Sequence, residues 1–432
     1  MMLRVFAALM LLALPLRAEI AIQDVTSPSG IKAWLVEDHT NPFMSLEIRF
    51  RGGTSLDDPA KRGAVNLMTG LIEEGAGDLD AQGFANARDG LAASLEFRPY
   101  GDAIGVSMRA LTENRDQVVD LLNLALTQPR FDQDAVDRVR GQVLTGLAAD
   151  AKDPGTIAAH RFDADAFGSH PYATSGDGTV ESVNALTRDD VVAAWKAALA
   201  QDRVYVAAVG DISPEELGAL IDKVLAGLPA TGAPLPARAE YALKGGVTVV
   251  DYPSPQSVIQ FGHQGIRRDD PDFFAAYLLN EILGGGRFGS RLMTEVREKR
   301  GLTYGVGTAL VPLDHAELYL GSLSTENSKV GQVIDLLRSE WARLAKDGVT
   351  EAELADAKTY LTGSYPLRFD SNAAIANILV GMQMEDLPID YASTRNAKIE
   401  AVTLADMARV AARILHPDDL HFVVVGQPEG LN

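Results

Sequence analysis

The sequence predicts an α+β protein of two tandem duplicated domains, each a mostly antiparallel sheet with helices packed on one face. Short strands alternating at period two are followed by runs of long amphipathic helices, instead of alternating with them one for one. Landmarks then recur in the same order at a nearly constant offset. Asp57-Asp58-Pro59 returns as Asp269-Asp270-Pro271, Leu111–Asn114 as Ser324–Asn327, Thr187 as Thr403 and Gly210 as Gly426. Between the copies, Leu228–Pro236 (LPATGAPLP) has the Pro/Gly/Ala character of a linker. The expected division is a first domain over 19–228, a linker over 229–244 and a second domain over 245–432.

Taken in order, Ile20–Val25 and Ile31–Val36 read as strands joined through Pro28-Ser29-Gly30, and Ser45–Phe50 alternates as a third. A helix of about a dozen residues starts at Gly63, with Val65, Met68, Leu71 and Ile72 on one stripe. A strand pair lies within Leu95–Met108, helices span Gln117–Leu126 and Gln133–Leu147, and the apolar strand Val204–Val209 ends at Gly210. The second half repeats this with the strand Ser257–Phe261 and a helix through Leu278, Leu279 and Ile282. A strand pair within Leu302–Leu323 follows, then helices Lys329–Leu344 and Glu351–Leu361, and the strand Phe422–Val425 ends at Gly426.

Composition narrows the function. A chain of 432 residues can bury two sizeable cores. A formal net charge of −20 argues against nucleic acid as a partner. With no cysteine there is neither a disulfide framework nor thiolate chemistry. Residues 1–18 carry an arginine, an apolar run and a small residue at Ala18, the pattern of a secretory signal. That predicts a periplasmic mature protein with no membrane contact after cleavage; an uncleaved anchor is the alternative. No later segment is apolar enough to cross a membrane.

The stretch that carries chemistry runs from Leu283-Gly284-Gly285-Gly286-Arg287-Phe288-Gly289-Ser290-Arg291-Leu292 into Thr294–Tyr304 (TEVREKRGLTY). It reads as a flexible glycine loop, a charged helix broken at Gly301, and a strand with Leu302, Tyr304 and Val306 at period two. By local pattern alone, Arg297 is a surface ion-pair residue and Tyr304 a tyrosine packed on a sheet. The order of loop, Ser-Arg-Leu, helix and Arg-Glu-x-x-Gly-Leu-x-Tyr resembles the C-terminal half of the pitrilysin/insulinase-type (inverted zinc-motif) metallopeptidases, and the duplication extends that resemblance over nearly the whole mature chain. In that family an arginine and a tyrosine at this spacing bind substrate, which implies that role for Arg297 and Tyr304.

The same resemblance exposes an absence. Active members carry His-x-x-Glu-His on the helix placed here at Gly63, with two zinc-binding histidines and a glutamate that activates water. The corresponding positions hold Asn66, Thr69 and Gly70, and Gly141–Asp150 has no glutamate for the third ligand. None of the seven histidines stands three or four residues from another. His170-Pro171-Tyr172 reads as a turn, and His416 and His421 as solvent-facing residues flanking the last strand. No metal site or cofactor is expected in this chain. Gly284-Gly285-Gly286 lacks the lysine of a phosphate loop and is more simply a helix C-cap. Glu73-Glu74 is more simply a charged helix end than an acid pair. Ser290 lacks a nucleophile elbow.

Within the resembling family some enzymes divide the site between two chains, one with His-x-x-Glu-His and one with the Arg/Tyr pair. The resemblance implies that this chain is the second kind: a non-catalytic subunit of a bacterial heterodimeric peptidase, with zinc in a homologous partner and a peptide as substrate. The rival reading is a periplasmic pseudopeptidase that only binds or assembles.

Overall fold

The computed structural model describes residues 20–431; the expected signal over 1–18 lies outside them. In the first half the strands are β1 (Gln23–Thr26), β2 (Lys32–Glu37), β3 (Phe43–Arg51), a small hairpin β4 (Gly75–Ala76) with β5 (Leu79–Asp80), β6 (Ser94–Pro99), β7 (Ala103–Leu111) and β8 (Val204–Gly210). The main sheet runs β1-β2-β8-β3-β7-β6, antiparallel except where β2 and β8 pair in parallel. The second half builds β9 (Gly246–Asp251), β10 (Gln256–Gln264), β11 (Val306–Pro312), β12 (Glu317–Glu326) and β13 (His421–Gly426) into the order β11-β12-β10-β13-β9, with only β13 and β9 parallel.

The duplication is visible in local chemistry. Thr187 and Thr403 each begin a helix with a capping box, closed by Asp190 and Asp406 at the third helical position. Each box satisfies two of the backbone groups a helix start leaves open. Gly210 and Gly426 end β8 and β13 at φ of 133° and 157°. A side chain at Gly210 would strike the Phe43 carbonyl at 2.4 Å. Residues between the helix Pro214–Leu225 and β9 form neither helix nor strand.

Each half has its own core on one face of its sheet. The first gathers Phe50, Phe84, Met68 and Leu122; the second gathers Phe261, Trp341 and Phe422. The opposite faces are covered by exchange between the halves. The helix Pro154–Phe167 from the first half lays Ala158, Phe162 and Ala166 on Val423 and Val425 of β13. The helix Asn372–Met384 from the second lays Ala376, Leu379 and Val380 on Ala207 and Val209 of β8. Strands β8 and β13 are therefore apolar on both sides, as sheet-centre strands covered on both faces must be. At about 1.5–3 kcal/mol for each fully buried large side chain, this exchange ties the halves together.

Polar contacts finish the seam. The Tyr172 hydroxyl donates to Asp102 at 2.6 Å and accepts from the His315 backbone N–H at 3.1 Å. Asp102 also accepts from the Asp314 backbone at 3.1 Å, and Arg51 faces Asp314 at 3.2 Å. His170 caps its turn by accepting from the Tyr172 backbone N–H, as the turn reading requires.

Candidate functional site

The helix Ala64–Leu71 packs on the helices Gln133–Asp150 and Arg188–Ala198. Buried Asp57 fixes its start, accepting from the backbone of Gly63 at 2.8 Å and Val65 at 2.9 Å. Burial pushes Asp57 up to about 6, against these bonds and the nearby Arg62. On this helix Thr69 is 1% exposed and donates its hydroxyl to the Val65 carbonyl at 2.8 Å. A side chain at Gly70 would meet Val139 at 3.2 Å. Asn66 offers a single amide. This donor set does not fit zinc: one hydroxyl is committed to the backbone and one position has no side chain. Among the described residues no three His, Cys, Asp or Glu side chains converge as metal ligands. Glu73 pairs with Arg88 at 2.8 Å, and both oxygens of Glu74 accept from Arg138 at 2.8 Å, as a charged helix end would.

The Arg/Tyr stretch is built differently from its sequence expectation. After the helix Phe273–Leu283, Gly284 and Gly285 both donate to the Asn280 carbonyl, and Thr308 of β11 donates back to Gly284 at 2.8 Å. A side chain at Gly284 would meet the Thr308 hydroxyl at 2.5 Å, and one at Gly285 would meet Glu281 at 2.5 Å. These two glycines are demanded by close packing. The room to move expected of the loop is found instead around Gly286 and Gly289, which face open space.

The charged helix is π-helical over Met293–Glu298, closed by the Lys299 N–H donating to Thr294 at 3.0 Å. Such wide turns concentrate at functional sites because the extra residue re-aims a side chain. Gly301, at φ 61°, ends it. Leu302 donates back to the Val296 carbonyl, and the Thr325 hydroxyl donates to the Leu302 carbonyl at 2.6 Å. Tyr304 is not in a strand, which corrects the period-two reading: β11 starts at Val306. The Thr303 hydroxyl takes the Gly305 N–H and donates to the Gly305 carbonyl, holding Tyr304 on a turn. There Tyr304 is 88% exposed.

Most charges in the segment are matched, while Arg297 and Glu298 stand in no ion pair among the described residues. Glu281 takes Arg287 at 2.8 Å, Glu353 takes Arg291 at 2.6 Å, and Glu295 takes both Lys299 and Arg300 at 2.7 Å. Burial pushes Glu353 upward, but the Arg291 guanidinium and Thr350 outweigh it and hold Glu353 down to about 2. Arg297 has no carboxylate partner among the described residues. Its guanidinium carbon lies 4.7 Å from the Phe288 ring centre. The surface ion-pair reading of Arg297 and the packed reading of Tyr304 both fail here. Sequence reasoning missed Phe288, whose signal was an aromatic residue in a glycine-rich loop with nothing apolar beside it. It also misplaced His421, which is 7% exposed and bonded to Thr248 at 3.0 Å because the exchanged helix covers that face of β13.

Fold and site together define a two-domain metallopeptidase-like protein whose zinc positions carry no ligand set. A family model described as Insulinase (Peptidase family M16) matches residues 32–179, and one described as Peptidase M16 inactive domain matches residues 185–361. The chain belongs to the M16 peptidase family, and within it is a peptidase-like chain of the inactive type. The non-peptidase homolog YmxG of Helicobacter pylori is 27% identical over 390 residues, 90% of each chain. The probable mitochondrial-processing peptidase subunit beta of Schizosaccharomyces pombe is 28% identical, over 88% of this chain and 85% of that one. A crystal structure of a peptidase M16 inactive domain from Pseudomonas fluorescens has a TM-score of 0.88 at 32% identity, covering 94% of this chain and 98% of that one.

Proposed function

We propose that this chain is the non-catalytic, substrate-binding subunit of a heterodimeric zinc metallopeptidase, exported to the periplasm and paired with a homologous zinc-bearing chain. The observation that carries the reading is Tyr304, held on a turn pinned at Leu302 and Thr303 yet 88% exposed, on the same segment as Arg297, which has no carboxylate partner among the described residues. Rigid backbone under an exposed phenol suits a group presented to something outside this chain. Zinc in the partner would supply the activated water. From this chain, the Tyr304 hydroxyl donates to the scissile carbonyl oxygen as charge develops there. Arg297 holds a peptide carbonyl by charge-assisted hydrogen bonds. The glycines 286, 289 and 301 let the loop adjust as the peptide enters.

The test is co-expression with a zinc-bearing M16 relative from the same source and a peptide-cleavage assay. Turnover by the pair and by neither chain alone is expected. A pair that forms but cleaves nothing would leave the second reading, a peptide-binding or assembly protein, which the name of the H. pylori relative favours.

A further inference from the structure

Phe288 stands at the tip of the glycine loop, between the open positions Gly286 and Gly289, and is 66% exposed. A ring left so far in water is not explained by packing within this chain. Over its ring lies Arg297, a guanidinium in no ion pair among the described residues, at 4.7 Å from the ring centre. A guanidinium over a ring is held by its face, while the N–H groups at its edge stay free to donate. Ordering a long side chain beforehand removes an entropic cost from binding. Tyr304, 88% exposed, gives the same segment a second uncovered ring.

We propose that Phe288 is a positioning and specificity-determining residue: it orders Arg297 for a peptide carbonyl, and its exposed surface walls a subsite for an aromatic or long aliphatic substrate side chain. This rests on the peptide-binding reading of Arg297 and Tyr304. The site therefore favours apolar peptides over acidic or glycine-rich ones, although the chain's net charge of −20 alone would favour basic ones.

The experiment uses the assembled pair and fluorogenic peptides that differ at one position at a time, with Phe, Leu, Gly or Asp. At one position the wild type should prefer Phe or Leu over Gly by about ten-fold in kcat/KM, expressed in KM. Phe288→Ala should abolish that preference and raise KM a further about two- to five-fold through loss of the arginine stack, with kcat within two-fold. Phe288→Trp should restore both. Combined with Arg297→Ala, the Phe288→Ala effect from stacking should vanish. An unchanged KM and preference in Phe288→Ala overturns the inference and leaves the subunit reading intact. If the wild-type pair cleaves nothing, the subunit reading fails. The inference is then decided by binding of the labelled Phe and Gly peptides to the single chain, where equal affinity for wild type and Phe288→Ala overturns it. Melting temperatures should match throughout, since the ring packs on no core.

Discussion

Restoring the zinc motif by Asn66→His, Thr69→Glu and Gly70→His should destabilise the chain without making it an enzyme. At Thr69, 1% exposed on the face shared with Val65, Met68 and Leu71, the new carboxyl would titrate above neutrality. At pH 7 that costs about 2.7 pH units from the ordinary glutamate value, at about 1.4 kcal/mol each, or about 4 kcal/mol. At Gly70 the new Cβ meets a side-chain methyl of Val139 at 3.2 Å, so that side chain on the Gln133–Asp150 helix must give way by a few tenths of an ångström. The overpacking costs about 1 kcal/mol, of which better helix propensity returns a few tenths. A loss of about 4–5 kcal/mol is a large share of the about 5–15 kcal/mol that holds a typical protein. Two histidines without the downstream glutamate leave the tetrahedral set incomplete. Urea denaturation at pH 7, metal analysis after dialysis and a peptide assay read all three consequences. Wild-type stability with about one zinc per chain, or any peptidase activity, would refute the reasoning.

Three further outcomes follow from the same structure. Burial pushes half-buried Asp163 up to about 6. A carboxyl raised in the folded state contributes stability below its unfolded value that is lost as pH rises through 6, so Asp163→Asn should gain about 2 kcal/mol at pH 7.5 and nothing at pH 4. A loss at pH 7.5 would refute this. His263, fully buried, accepts from the Trp341 indole at 3.0 Å and is pushed down to about 4, chiefly by burial. Its contribution is present above pH 6.5 and lost as pH falls through 4. His263→Gln, weaker at pH 7, should therefore flatten the decline between pH 6.5 and 4 by about 3 kcal/mol, and an unchanged slope would count against it. Size-exclusion of the co-expressed pair should give one peak at about twice the single-chain mass, as an obligate interface of more than about 2,000 Å² requires; two monomer peaks at micromolar concentration would not fit.

The duplication was legible because its markers are local: a capping threonine, a turn aspartate, a glycine at the end of a strand. The chemistry of Asn66, Thr69 and Gly70 is equally local: residue type alone says that they are poor zinc donors. The exchange of helices was not. Ala158, Phe162 and Ala166 form a readable stripe, but a stripe does not name its partner, and β13 lies far along the chain. His421 went wrong through the same nonlocal contact. Tyr304 fits a period-two pattern with Leu302 and Val306, yet the Thr303 turn outweighs the pattern and keeps the tyrosine off the sheet. The Phe288–Arg297 stack joins a glycine-loop residue to one on a wide helical turn, a pairing that no periodicity announces.

The central claim is that this chain completes another chain's active site with Tyr304. The most direct measurement is steady-state kinetics of the assembled pair carrying Tyr304→Phe. A hydrogen bond made mainly in the transition state predicts a fall in kcat of about 10²–10³-fold with KM little changed. Arg297→Ala should instead raise KM, and Arg297→Lys should recover little of it because an ammonium lacks the planar fork. The melting temperature of Tyr304→Phe should not move, because the phenol is 88% exposed. Wild-type kcat for Tyr304→Phe in a correctly formed pair would contradict the account.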